Sequence, residues 1–251
     1  MSQTLETVYG LHAVSALLQR HPERIKQIWL QDNRADARMQ HLLELAESAK
    51  ILILSATRQQ LDERTEGVHQ GVLAEVTPSQ PYTENMLQLL LESHSAPPFL
   101  LVLDGVTDPH NLGACLRSAD AAGAQAVIVP KDRAATLNAT VRKVACGAAE
   151  VVPLVAVSNL ARCLDKLKQR GLWLVGADGE AERDLWQQDL RGPLALVMGA
   201  EGKGLRRLTR ERCDWLVRLP MQGSVSSLNV SVATGICLFE ALRQRTLKPT
   251  L

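Results

Sequence analysis

What most constrains this chain is a series of short, almost wholly apolar runs from Phe99 onward, several of them followed by a helix-like pattern. Phe99-Leu-Leu-Val-Leu103, Ala126-Val-Ile-Val-Pro130, Val151 to Val157, Trp173-Leu-Val175 and Leu194-Ala-Leu-Val-Met198 show no apolar–polar alternation. A strand with one face in water alternates, so runs of this kind are expected to be buried on both faces. Helical patterns fall between or after them, over Leu112 to Ala122, Thr140 to Ala148, Leu160 to Arg170 and Val230 to Arg243, with one more strand at Trp215 to Leu219. The expected fold class is α/β, with a parallel sheet and helices on both faces. Ligands of such sheets bind at the carboxyl ends of the strands.

The first part reads as a smaller α/β unit. It has helices over Gly10 to Gln19 and Ala37 to Ser48, a short helix near Gln59, and strands Ile25 to Leu30, Ile51 to Leu54 and Val72 to Val76. Glu6 and the residues before it are expected to lack order. Thr77-Pro-Ser-Gln-Pro81 and Ser93-His-Ser-Ala-Pro-Pro98 bracket one amphipathic helix, Glu84 to Glu92. Proline removes a backbone donor and disfavours helix before it, so both ends read as linker. The expected division is residues 1–78, a linker over 79–98, and residues 99–251.

Several function classes lose support. No stretch reaches the ~18 apolar residues of a membrane span, and the N-terminus has neither the basic start nor the apolar core of a signal peptide. The chain is expected in the cytoplasm and off the membrane. Five cysteines, odd in number and with no Cys-x-x-Cys pair, argue against a disulfide framework or a zinc site, and no metal is expected. Residues 100–251 carry 20 Lys and Arg against 15 acids, whereas residues 1–80 carry 8 against 10. The local basic excess points weakly to a polyanion, and a mixed solvated surface explains it as well.

Three polar loops then stand out. The first, Asp104-Gly-Val-Thr-Asp-Pro-His-Asn-Leu-Gly-Ala-Cys-Leu-Arg117, places Asn111 where it can cap a helix starting at Leu112, with Arg117 six residues on. The second, Met198-Gly-Ala-Glu-Gly-Lys-Gly-Leu205, has three glycines in six residues but follows neither G-x-x-x-x-G-K-[ST] nor G-x-G-x-x-G, which disfavours phosphate cradling. It is either a tight turn or a close backbone approach to a ligand, with Glu201 able to orient a neighbour. The third, Leu219 to Gly235, gathers hydroxyl residues and Asn229 at a helix entrance, where N–H groups are unpaired. Each loop alone is matched by a capping or turn explanation. No Ser-His-Asp arrangement supports hydrolase chemistry, and His110 reads as a loop residue rather than a base.

In this order, Asn111-Leu-Gly-Ala-Cys-Leu-Arg117, Gly199-Ala-Glu-Gly202 and Ser226-Ser-Leu-Asn-Val-Ser231 resemble the three motifs of the SpoU (TrmH) branch of the SPOUT methyltransferases. The strings Leu-Asp-Gly-Val-Thr-Asp-Pro-His-Asn-Leu-Gly and Gly-Ser-Val-Ser-Ser-Leu-Asn-Val-Ser-Val-Ala-Thr-Gly are similar, more narrowly, to members that 2′-O-methylate a guanosine in the peptidyl-transferase region of 23S ribosomal RNA. Tyr9-Gly-Leu-His12 and His69-Gln-Gly71 resemble the small ribosomal-protein-like RNA-binding domain of those members.

The resemblance implies S-adenosylmethionine as methyl donor, a homodimer, and a deep trefoil knot in residues 99–251, which pattern alone argues against. It implies Arg117, Asn111, Glu201, Ser227 and Asn229 as catalytic residues, with backbone near Gly199, Gly202, Leu219 and Leu228 gripping the donor. Arg117 matches an arginine proposed to activate the ribose hydroxyl. Because a guanidinium is not normally deprotonated in proteins, an equally sound role keeps it charged and stabilises developing alkoxide. A tRNA substrate, or a non-catalytic RNA-binding protein of the same fold, are the alternatives.

Overall fold

The structure, a computed structural model, describes residues 5–32, 36–65, 67–78, 82–93 and 95–246. It divides into two compact units, Met1–Gln80 with Leu137–Val151, and Pro81–Thr136 with Val152–Leu251.

In the first unit, strands β1 (Glu6–Tyr9), β2 (Ile25–Gln31), β3 (Leu52–Ala56) and β4 (Val72–Val76) form a sheet ordered β1-β4-β2-β3. Strand β4 runs antiparallel to both β1 and β2, and β3 runs parallel to β2. Helix α1 (Leu11–Arg20) buries Leu11, Val14, Leu17 and Leu18, a spacing that puts them on one face. Helix α2 (Ala37–Ser48) buries Met39, Leu42 and Ala46 against the same core, and Asp36 caps it by accepting from the Arg38 and Met39 N–H groups. Helix α3 (Arg58–Asp62) starts with a capping box between Thr57 and Gln60. Glu6, expected to lack order, instead opens β1, and its carboxylate stands 3.1 Å from Arg142 Nη2. Backbone pairing with β4 holds it, a long-range partner that local composition does not reveal. Residues 1–4 lie outside the described residues.

Leu137–Val151 joins this unit through helix α6 (Ala139–Ala145) and a 3-10 turn, Ala148–Glu150. Arg142 pairs with Glu150, whose other oxygen is 2.8 Å from Arg24 Nη1. Gly147 sits at φ +97, and a Cβ there would stand 2.9 Å from the His12 carbonyl oxygen. The helix expected to reach Ala148 stops at Ala145 because Cys146 turns left-handed.

In the second unit, β5 (Phe99–Asp104), β6 (Ala126–Pro130), β7 (Leu154–Val157), β8 (Trp173–Ala177), β9 (Leu194–Gly199) and β10 (Trp215–Val217) form one all-parallel sheet ordered β10-β8-β9-β5-β6-β7. Every residue of β5 and β6 is buried, as the runs without alternation require. Helices α4 (Glu84–Ser93) and α7 (Leu160–Gln169) cover one face through Leu87, Leu160, Leu164 and Leu167. Helices α5 (Pro109–Ala121) and α9 (Val230–Thr246) pack against each other, α9 lying on β9 and α5 on β6. A helix not anticipated, α8 (Arg207–Arg212), precedes β10. Part of the first expected linker, residues 79–81, lies outside the described residues.

One boundary matters for the site. Helix α5 starts at Pro109 and is capped by Asp108, which accepts from the His110 N–H at 3.1 Å. Asn111 is therefore inside the first turn and is not the cap. Proline at the first helical position after an aspartate is a sound helix start, since its missing N–H would lack an intrahelical partner anyway. His110, expected in a loop, is the second residue of the helix.

Candidate active site

Strands β5 and β9 are neighbours in register to their last residues, Asp104 opposite Gly199. The loops that follow them therefore leave the sheet side by side. After β9 the chain closes at once into a hairpin: Ala200 N donates to the Gly204 oxygen at 3.1 Å and Gly204 N to the Ala200 oxygen at 3.0 Å. Gly199 has no room for a side chain, because a Cβ would stand 2.2 Å from the Gly204 carbonyl carbon and 2.5 Å from Leu205 N. Gly202 and Gly204 take φ +71 and +63, the left-handed region that glycine enters without steric cost. The glycines make the tight turn that one reading of this loop expects, and the turn presents Glu201.

Glu201 Oε1 accepts from Asn111 Nδ2 at 3.1 Å and Asn229 Nδ2 at 2.7 Å, with the Val230 N–H at 3.5 Å. Asn229 Nδ2 also donates to Asn111 Oδ1 at 3.0 Å. Asn229 Oδ1 meanwhile accepts from Ser231 N at 2.8 Å and Ser231 Oγ at 2.6 Å, capping α9. A carboxylate at a helix entrance is favoured by the unpaired N–H groups and the helix dipole there. Asn111 is buried at 7% exposure, so its amide depends on these partners.

Of the five residues implied to be catalytic, the structure thus joins Asn111, Glu201 and Asn229. Ser227 lies in the exposed segment before α9 and makes no hydrogen bond to the three. Arg117 is exposed on α5. Six residues along the helix turn it by about 240° from Asn111, so the two point to different sides.

Leu219, half-buried, and Leu228, exposed, bound the segment between β10 and α9. Among the described residues, the backbone of 219–228 makes no hydrogen bond to the rest of the protein. A run of backbone groups without protein partners, leading into the Asn229 that holds Glu201 of the hairpin, suits a neutral purine edge and a ribose, so these residues fit an adenosyl group.

Asn111 and Glu201 also line an open cavity of about 700 Å³, together with Asp104, Arg133, Lys203 and Arg206. Sequence reasoning assigned no role to Asp104 or Arg206. Asp104 is fully buried; its Oδ2 accepts from Arg206 N at 2.9 Å, and Arg206 Nε is 3.4 Å from its Oδ1. The one available signal was a carboxylate ending a run of buried apolar residues.

Beneath the site, burial pushes the Cys115 thiol up to about 11, with its hydrogen bond to Thr234 lowering it and the Glu201 charge raising it. Such a thiol is a packing group and a poor nucleophile. Among the described residues no group of three His, Cys, Asp or Glu could hold a metal ion, and no helix is long and apolar enough to cross a membrane.

Comparison with known proteins accords with this geometry. Residues 98–239 match the SpoU rRNA Methylase family, and residues 7–82 match a domain described as RNA 2'-O ribose methyltransferase substrate binding. The chain is 70% identical to the 23S rRNA (guanosine-2'-O-)-methyltransferase RlmB of Pseudomonas aeruginosa, over 96% of this chain and 97% of that protein. It is 61% identical to the RlmB of Escherichia coli K12, over 96% and 99%. Among solved structures it is similar to the SpoU methyltransferase AviRb from Streptomyces viridochromogenes in complex with AdoMet, at a TM-score of 0.78 and 25% identity, covering 96% of this chain and 90% of that one.

Proposed function

The chain belongs to the SpoU rRNA methylase family, and from that premise we propose that it transfers a methyl group from S-adenosylmethionine to the ribose 2′-hydroxyl of a guanosine in the peptidyl-transferase region of 23S rRNA. The observation that carries the reading is the convergence of three loops, far apart in sequence, on the Glu201 carboxylate. A purely binding descendant has no need of that convergence.

In this reading the backbone around Gly199, Gly202, Leu219 and Leu228 holds the donor, which supplies a methyl group on a sulfonium and so needs no metal or covalent enzyme intermediate. Glu201, locked by two amides, fixes the hairpin and the start of α9 relative to each other. Much of the acceleration then comes from orienting hydroxyl and methyl. Arg117, turned away from Asn111 on α5, is assigned a role through its charge toward the ribose or a neighbouring phosphate of the bound RNA, and Ser227 completes the hydroxyl's surroundings.

We assign RNA recognition to residues 1–78, connection to residues 79–98 and chemistry to residues 99–251. The working form is a homodimer, the C-terminal part is knotted, and the setting is the cytoplasm, where ribosomes are assembled. Incubating unmodified 23S rRNA and unmodified tRNA with labelled donor tests the reading. Label is expected on one guanosine 2′-oxygen of 23S rRNA; label on tRNA alone would move the substrate, and no label on either would sink the proposal.

A further inference from the structure

Asp104 has a buried oxygen that receives no hydrogen bond within the chain. Its Oδ2 is held by the Arg206 N–H, whereas Oδ1 is buried and accepts no hydrogen bond, its one charged neighbour being Arg206 Nε, an ion-pair contact at 3.4 Å without hydrogen-bond geometry. Leaving a buried acceptor unmade is costly, so such a group calls for a partner. Asp104 lines the same cavity of about 700 Å³ as Asn111 and Glu201, a volume ample for a nucleoside.

We propose that this cavity receives the base of the methylated nucleotide, and that Asp104 is the residue that selects guanine by accepting from its N1–H and N2–H donors. The inference rests on the methyl-transfer reading above. Guanine alone among the RNA bases presents two adjacent N–H donors on its pairing edge. Adenine offers one donor beside an acceptor, uracil a donor between two acceptors, and cytosine a donor beside two acceptors. A carboxylate can only accept, so it attracts the first pattern and is repelled by the acceptors of the others.

Arg206 stands where the base would. Its guanidinium carries the same N–C–N donor fragment as N1, C2 and N2 of guanine, and its side chain is 46% exposed, so it can swing out. Gly105, at φ +88, keeps that route clear: a Cβ there would come within 3.0 Å of Arg206 Nη2. Arg133 and Lys203 on the cavity wall supply charge for the flanking phosphates.

The test uses the full chain and an rRNA fragment carrying guanosine or inosine at the methylated position, since inosine lacks only the N2 amino group. The wild-type enzyme is expected to lose about tenfold or more in kcat/KM on inosine. Asp104→Asn keeps an acceptor for the Arg206 N–H but turns an amide donor toward the base. It should methylate guanosine poorly and discriminate by less than about twofold, with donor binding unchanged by calorimetry. Arg206→Ala should keep the preference and lower KM for RNA. Equal wild-type use of the two substrates would overturn the inference even if Asp104→Asn fails to fold. So would intact discrimination in a folded Asp104→Asn enzyme, or loss of it in Arg206→Ala. Methylation without a guanosine preference refutes the inference alone, whereas no methylation of the guanosine fragment refutes the activity beneath it as well.

Discussion

At the scale of single residues, Glu201 and Arg117 make opposite demands. Glu201 is exposed, yet one of the amides it holds belongs to buried Asn111. Glu201→Ala removes that acceptor, and an unmet buried donor costs about 1–3 kcal/mol. Because water can reach the position, the lower end of that range is expected in denaturant unfolding, together with a large loss of methyl transfer. Glu201→Gln retains an oxygen for both amides and should recover most of the stability. A Glu201→Ala protein as stable and active as wild type would show the contacts to be incidental. For Arg117 the charge is the issue. Arg117→Ala should nearly abolish turnover, and if electrostatics suffice, Arg117→Lys should retain a substantial share of kcat. Complete loss in the lysine variant would point instead to a requirement for the guanidinium fork.

These residues were legible only singly. Asn111, Glu201 and Asn229 stand in polar loops that any reader of the chain would mark, but their meeting depends on β9 lying beside β5. That adjacency skips three strands in chain order, and no local pattern encodes it. Asp104 was harder still, because an aspartate after five apolar residues reads as the start of a loop, and its backbone partner, the Arg206 N–H, lies 102 residues on.

At the scale of elements, apolar runs and helical spacing located most strands and helices, since burial on both faces of a parallel sheet leaves an unmistakable mark. The errors fell at ends, where one capping residue decides. The Asp108-Pro109 start of α5 competed with Asn111 as cap, and β1 was missed because its partner β4 lies more than 60 residues away. The glycine hairpin offers the sharpest test at this scale. Gly199→Ala would drive a methyl group into the Gly204 and Leu205 backbone, so the turn cannot close as it stands. Destabilisation of about 1–3 kcal/mol is expected, with loss of S-adenosylmethionine binding by calorimetry. Normal donor affinity in a folded Gly199→Ala protein would remove the hairpin from the donor site. Thiol chemistry should follow burial in the same way. Burial holds Cys163 up to about 11 and Cys237 up to about 12, with Cys213 likewise near 12. Iodoacetamide at pH 8 should therefore modify exposed Cys146 and spare these, as read by peptide mass.

At the scale of the whole molecule, α9 is built to face two directions. Val230, Thr234, Cys237, Leu238 and Ala241 are buried within the chain. On another side Val232 is 51% and Phe239 49% exposed, with half-buried Ile236 between them. Spacings of four and three place these three on one stripe of the helix. Val225 and Leu228, also exposed, extend the apolar surface into the segment assigned to the donor. An apolar stripe running into the segment proposed to hold the donor suits a second copy of the same chain, which would cover the stripe and that segment together in the proposed homodimer. Phe239→Asp places a charge within that contact without touching the core. It should convert a dimer to a monomer in light scattering and weaken donor binding, while leaving the unfolding transition of the chain itself nearly unchanged, since surface substitutions away from special contacts cost little. If the Phe239→Asp protein still dimerises, the stripe is not the interface, and a monomeric variant with undiminished methyl transfer would show that each chain completes its site alone.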